Sequence, residues 1–126
     1  MEKRIFNSEK VAATGAPYSQ AVIKGDLIFV SGQVAMDPVL KEMISGSMEQ
    51  EVEQIMGNLR SLLEEMGSSL EKVLKVTVFL TDMGEFQRFN EAYKKYFPKE
   101  PPARSCVEVA HLPFGARIEL DAIAYI

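Results

Sequence analysis

From Pro101 to Ala124 the chain reads PPARSCVEVAHLPFGARIELDAIA. Val107 and Val109 alternate with polar neighbours before Pro113-Phe114-Gly115, and Ile118, Leu120, Ala122 and Ala124 alternate after it. A period of two marks strands, and the turn residues between them predict a hairpin. If both apolar sets share a face, Val109 falls opposite Ile118 and Val107 opposite Leu120, because a slip of one residue would send every apolar side chain to the wrong side. The other face would then bring Arg104, Cys106 and Glu108 together with Arg117, Glu119 and Asp121. Two guanidiniums, a thiol and three carboxylates are not the Lys, Thr and Glu of an ordinary solvated face.

Upstream, Asp82 with Glu85 three residues on reads as a capping box, and Phe86, Phe89, Tyr93, Tyr96 and Phe97 make the buried side of a helix that Pro98 ends. Lys99 to Pro102 is an extended connector. Val73 to Leu80 reads as a strand with Leu74, Val76, Val78 and Leu80 on one apolar face. Ser47 to Met66 is the clearest helix: Met48, Val52, Ile55, Met56, Leu59, Leu62, Leu63 and Met66 recur at steps of three and four. Ser47 and Gln50 form a capping box, Gly67 suits the left-handed C-terminal position, and Glu49, Glu51, Glu53, Glu64 and Glu65 read as a solvated face rather than a metal site, since no His lies near them.

Closer to the start, residues 36–46 read as a connecting loop. Gln20 to Lys24 and Leu27 to Ser31 are β-prone, and Gly25-Asp26 between them is a two-residue hairpin signal with Gly supplying the positive φ of a type II′ turn. Gly32 either permits close approach by a ligand or another strand, or serves a bulge. The loop of residues 13–19 carries Tyr18, which either lines a site or packs across the sheet edge. Residues 3–7 read as a short first strand. The order strand, strand, strand, helix, strand, helix, strand, strand gives a mostly antiparallel sheet with both helices on one face. The opposite face, with Val22, Phe29, Val30 or Cys106 among charges, reads as a surface for association.

Length and composition bound the rest. At 126 residues, 47% hydrophobic and 25% charged, with mean hydropathy -0.03, the chain reads as one globular domain over 1–126. No apolar run approaches the roughly 20 residues of a membrane span, and no apolar segment follows the charges of the first residues, so a cytoplasmic protein without a leader is expected. One cysteine makes no internal disulfide; Cys106 is either a small buried hydrophobe or a reactive group. A net charge of -4 and a pI near 5.1, without basic runs longer than two, disfavour general binding to nucleic acid.

Pro102-Ala103-Arg104-Ser105, followed by Ile118-Glu119, closely resembles the signature of the RidA/YjgF/UK114 family of imine deaminases. Ala16-Pro17-Tyr18-Ser19-Gln20-Ala21, Val30-Ser31-Gly32-Gln33 and Phe89-Asn90-Glu91-Ala92-Tyr93 resemble its other landmarks in the same order, so the resemblance covers nearly the whole chain. It implies a chorismate mutase-like α+β fold of the bacillus type, with a six-stranded sheet and two helices, assembled as a homotrimer with sites in the clefts between subunits. It also implies a 2-iminobutanoate/2-iminopropanoate deaminase that hydrolyses enamine and imine intermediates such as 2-aminoacrylate to keto acids and ammonia, with neither cofactor nor metal.

By position, the resemblance gives Arg104 the substrate carboxylate and Glu119 the activation of water, with Tyr18, Ser31, Gly32, Asn90 and Cys106 lining the pocket. The chemistry suits these types. Arginine's planar fork pairs bidentately with a carboxylate, and a glutamate raised in pKa by burial can shuttle a proton, although Arg104 and Arg117 would pull the other way. His111 lies outside the matching motifs and reads as a turn residue. Leu120 and the bulky Phe114 depart from the family pattern, and Phe114 would alter access if its turn lined the cleft. A non-catalytic ligand sensor or chaperone-like protein, and an RNA-directed translation inhibitor or endoribonuclease, are the alternative functions.

Overall fold

A computed structural model describes residues 2–11 and 13–126. Its strands are β1 (Arg4–Phe6), β2 (Ala21–Lys24), β3 (Leu27–Gln33), β4 (Val73–Leu80), β5 (Ala103–Glu108) and β6 (Ile118–Tyr125), with helices α1 (Met48–Glu65) and α2 (Phe86–Tyr93). They form one six-stranded sheet in the order β1-β2-β3-β6-β4-β5, antiparallel throughout except for the parallel pair β4–β5. The expected α+β architecture is therefore present.

Helix α1 begins where its sequence says it should: Ser47 accepts from the Gln50 N–H while the Gln50 side chain accepts from the Ser47 N–H. All eight residues of its apolar stripe are buried. Each such side chain stabilises by roughly 1.5–3 kcal/mol against about 1 for a cap, so packing on the sheet holds the helix and the cap sets its start. Glu51 departs from the solvated reading. It is buried at 5% exposure and pairs with Arg117, whose guanidinium also donates to the Gly46 carbonyl at 2.8 Å.

The β2–β3 turn follows the hairpin expectation, with Lys24 opposite Leu27 and Gly25 at φ +61. In β4 the register shifts between Val73 and Lys75, so Val73 is buried and Leu74, expected on the apolar face, is 46% exposed. Asp82 caps the 3-10 turn leading into α2 by accepting from the Gly84 N–H.

The hairpin expected between β5 and β6 does not form, because β4 lies between them. Val76 sits opposite both Arg104 and Ala122, and Val78 opposite both Cys106 and Leu120. Val107 pairs with Phe79 and Ile118 with Leu80, instead of Val107 with Leu120 and Val109 with Ile118. The reason is the length of segment 109–117, which spans the end of β4 and is pinned to it at both ends. Val109 N–H donates to Leu80 O at 2.8 Å, and Thr81 N–H donates to Arg117 O at 3.1 Å. A β4–α2–β5 crossover also supplies the parallel connection that a tight turn cannot.

This order decides what shares a face. Val30, Val76, Val78, Leu120, Ala122 and Ala124 are buried beneath the helices, and Arg104 and Cys106 stand in register with them. Val30 and Cys106, expected on the open face, thus belong to the helix side. The open face carries Val22, Phe29, Ile123, Thr77, Phe79, Glu119 and Asp121; Phe29 is 43% exposed.

Candidate functional site

Glu119 points to the open face from β6, between the buried Ile118 and Leu120. Beside it β3 loses register between Val30 and Gln33, which brings Gly32 against the carboxyl. A Cβ on Gly32 would fall 2.4 Å from Glu119 Oε2 and 2.7 Å from its Cδ, so the carboxyl occupies the space a side chain would need. The glycine is there for close approach. Ser31 is tied back to the preceding loop, its Oγ donating to Ser19 O at 2.6 Å and its N–H to Gln20 O at 2.9 Å. Tyr18, nearly half exposed, shares a hydrogen bond of 3.1 Å between its hydroxyl and Thr14 Oγ1.

Tyr18, Ser31, Gly32 and Glu119 line one cavity of about 440 Å³, whose lining also includes Phe114. Burial pushes the Glu119 carboxyl above its ordinary value, and the neighbouring Asp121 charge adds to the rise. Arg104 and Arg117 do not oppose this as expected, since Arg117 is engaged by Glu51 and Arg104 lies on the other face.

Arg104 belongs to a second constellation. From β5 its guanidinium carbon sits 5.0 Å from the Tyr93 ring centroid, 5.7 Å from Phe86 and 5.8 Å from Phe89, within cation–π range of all three. Among the described residues no carboxylate forms an ion pair with it. One turn of α2 also carries Asn90, whose buried Oδ1 has no hydrogen-bond partner, and the Tyr93 hydroxyl is likewise buried and unpartnered. Burial raises Tyr93 to about 12, with Arg104 opposing. Cys106, half-buried, has its thiol pushed up by burial more than Arg104 pulls it down, which keeps it protonated near neutrality and makes it a poor nucleophile.

The structure thus sorts the expected residues into two groups instead of one shared face. Arg104 stands level with Val76 and Glu119 with Phe79, two strands across and three residues along. At about 4.8 Å per strand and 3.3 Å per residue their Cα atoms are about 14 Å apart, with side chains on opposite faces. One small molecule cannot touch both in one copy of the chain. Sequence reasoning took the aromatic stripe of α2 as core alone and missed that Phe86, Phe89 and Tyr93 form the bed of Arg104. The sequence carried no separate signal for this, because Phe89, Tyr93 and Phe97 are core residues and Phe86 packs against them, so the stripe reads the same with or without a cation resting on it.

A family model described as Endoribonuclease L-PSP matches residues 8–126. The human 2-iminobutanoate/2-iminopropanoate deaminase is 39% identical over 122 residues, covering 97% of this chain and 89% of the human one. The chain belongs to the RidA/YjgF/UK114 family. A RutC family protein of Pyrococcus abyssi is 42% identical over 99% of this chain and 98% of its own. The crystal structure of Escherichia coli TdcF with bound serine superposes with a TM-score of 0.91 at 32% identity, covering 98% of each chain. RidA-family relatives thus carry names of different chemistry, and the residues of this chain must choose among them. Among the described residues no helix is long and apolar enough to cross a membrane.

Proposed function

We propose that this RidA-family chain hydrolyses enamine and imine intermediates, such as 2-aminoacrylate and 2-iminobutanoate, to 2-keto acids and ammonia. The observation that carries this reading is Glu119, a carboxyl raised in pKa, seated in the place of a missing Cβ at Gly32 and open to a cavity. Arg104, without a carboxylate partner among the described residues and held on aromatic rings, supplies the complementary carboxylate anchor. Asn90 and Cys106 belong to the Arg104 half of the pocket and Tyr18, Ser31 and Gly32 to the Glu119 half. Because the halves lie on opposite faces, the working site joins Arg104 of one copy to Glu119 of the next in a homotrimer, with one domain per copy.

In this mechanism Glu119, as carboxylate, takes a proton from water while the water oxygen bonds to the C=N carbon and the π pair moves to nitrogen. The proton returns to that nitrogen, giving a neutral carbinolamine. Glu119 then takes the hydroxyl proton as C=O forms and delivers it to nitrogen as the C–N bond breaks, so ammonia leaves and the carboxylate is restored. Arg104 holds the substrate carboxylate throughout. The net charge of -4 is at odds with an RNA-directed role.

The test generates 2-aminoacrylate with a serine dehydratase and follows pyruvate release. Wild type should accelerate it, while Arg104→Ala and Glu119→Ala should not. Denaturing and refolding the two variants together should restore about a quarter of wild-type activity, because random mixing in a ring of three rebuilds that share of intact clefts. Turnover retained by both single variants would overturn the mechanism, and failure of the mixture to recover would overturn the shared site.

A further inference from the structure

Two buried polar atoms beside Arg104 have no part in the packing of the core or in the proton transfers at Glu119. Helix α2 sets Phe86, Asn90 and Tyr93 on one face, at steps of four and three, and Arg104 lies against the rings of that face. Asn90 Oδ1 and the Tyr93 hydroxyl are both shut off from solvent, and among the described residues neither has a hydrogen-bond partner. They are sealed within one copy of the chain, so a second copy docking from outside reaches neither of them. Unpaired buried polar groups are rare, because each forfeits its hydrogen bonds to water on folding. The group packed against them is their natural complement. A guanidinium carries donors on every edge and no acceptor, whereas an amide carbonyl and a phenol oxygen both accept. Tyr93 stays a neutral phenol near neutrality, since burial raises it to about 12. Its ring is also the nearest of the three to the guanidinium carbon, at 5.0 Å.

Resting on the carboxylate anchor that the deaminase reading gives to Arg104, we infer that Tyr93 is a positioning residue of the site. Its hydroxyl, together with Asn90 Oδ1, accepts from one edge of the guanidinium when a substrate carboxylate takes the other. In the structure the cation rests on the rings with no carboxylate paired to it among the described residues. A tilt within the same aromatic bed exchanges that seat for one in which the back edge of the fork is tied to α2 and the front edge faces the carboxylate. Cation–π attraction follows the charge and sets no direction for the N–H bonds, so rings alone leave the fork free to turn. Acceptors behind it remove that freedom, which bidentate pairing with a carboxylate requires.

The test is Tyr93→Phe, which removes the hydroxyl and keeps the ring that packs on Phe89 and Phe97 at centroid distances of 5.3 and 5.1 Å. Calorimetry reads the Kd for pyruvate, and pyruvate release from dehydratase-generated 2-aminoacrylate reads KM and kcat, each in the wild-type and Arg104→Lys backgrounds. In the wild-type background Kd and KM should both rise about tenfold, the scale of one hydrogen bond to a charged group, with kcat within about twofold. On top of Arg104→Lys the same change should add less than about twofold, because lysine has no fork to orient. An equal factor in both backgrounds would mean that the hydroxyl serves the fold alone, and overturns the inference. Kd and KM within about twofold of wild type overturn it as well; a higher Tm beside them would show a hydroxyl left unpaired in the working protein. Failure of the deaminase reading is distinguishable. Wild type that turns nothing over, yet binds pyruvate in a way Tyr93→Phe weakens only where Arg104 is present, loses the reaction and keeps the positioning role. Wild type that does not bind pyruvate overturns both.

Discussion

Replacing Gly32 with alanine separates the catalytic geometry from the stability of the fold. The new Cβ would sit 2.4 Å from Glu119 Oε2, where ordinary contact begins at 3.4 Å, so the carboxyl must retreat by about 1 Å. Gly32 is not among the glycines with positive φ, so alanine meets no backbone strain there. The atoms it strikes are the free end of a side chain open to a cavity, which can swing aside. Stability should therefore change by no more than about 1 kcal/mol, and with its sign set partly by the stiffer unfolded chain. Turnover is another matter, because a displacement of 1 Å in a positioned group costs on the order of a hundredfold. The check is pyruvate release from dehydratase-generated 2-aminoacrylate, run beside thermal unfolding. Activity within threefold of wild type would refute the role given to the Glu119 position. A collapse of Tm alongside activity would show that the glycine serves the bulge and not the carboxyl.

Arg104→Lys keeps the charge but loses the fork and the stacking, and KM should rise by tenfold or more; Tyr93→Leu should shift KM in the same direction with a smaller effect on kcat, read from steady-state kinetics. Arg117→Ala leaves the buried carboxylate of Glu51 without its cation. With Arg117 itself 46% exposed, the loss should be about 1–3 kcal/mol, below that for a fully buried pair, measured by urea unfolding. Glu119 has a folded pKa above the ordinary carboxylate value of 4.5, so the folded state holds its proton more tightly than the unfolded chain. Its contribution to stability is greatest below 4.5 and is lost as pH rises through the raised value. Glu119→Gln should accordingly melt higher than wild type near neutrality, with the difference vanishing in acid, while its turnover is abolished; a variant that melts lower at neutral pH would contradict the burial argument.

How much of this was legible in the sequence depended on the range of the interaction. Local patterns were read correctly where one element settles its own conformation: the capping box of Ser47 and Gln50, the stripe of α1 and the Gly25 turn all appear. The period of two also found β4, β5 and β6. What periodicity does not carry is which strand lies beside which. Two alternating strands with a turn between them look the same whether they pair with each other or flank a third, and the pinning of Val109 and Arg117 to the end of β4 is a contact between distant residues. Glu51 was misread for a similar reason, since its helical position is ambiguous until Arg117 arrives from the start of β6.

That one misplacement also explains the site. With β5 beside β6, Arg104 and Glu119 would share a face, and a single copy of the chain would hold both the proposed carboxylate anchor and the proposed proton shuttle. Inserting β4 between strands of equal alternation leaves Ile118, Leu120, Ala122 and Ala124 of β6 inward and places Arg104 inward with them, against the aromatic rings of α2, while Glu119 faces out toward Gly32. The family residues are recognisable in sequence because their types and order are local facts. The cooperation proposed for them is not local, since it would need a second surface to bring Arg104 to a partner's Glu119. The open face, with Phe29 exposed and Val22 half-buried beside it, is the surface this chain has to offer for that purpose. On this reading the sheet order that buries the core also makes catalysis conditional on assembly, so specific activity should fall on dilution in step with dissociation of the trimer, with Arg104 and Glu119 intact in every separated copy.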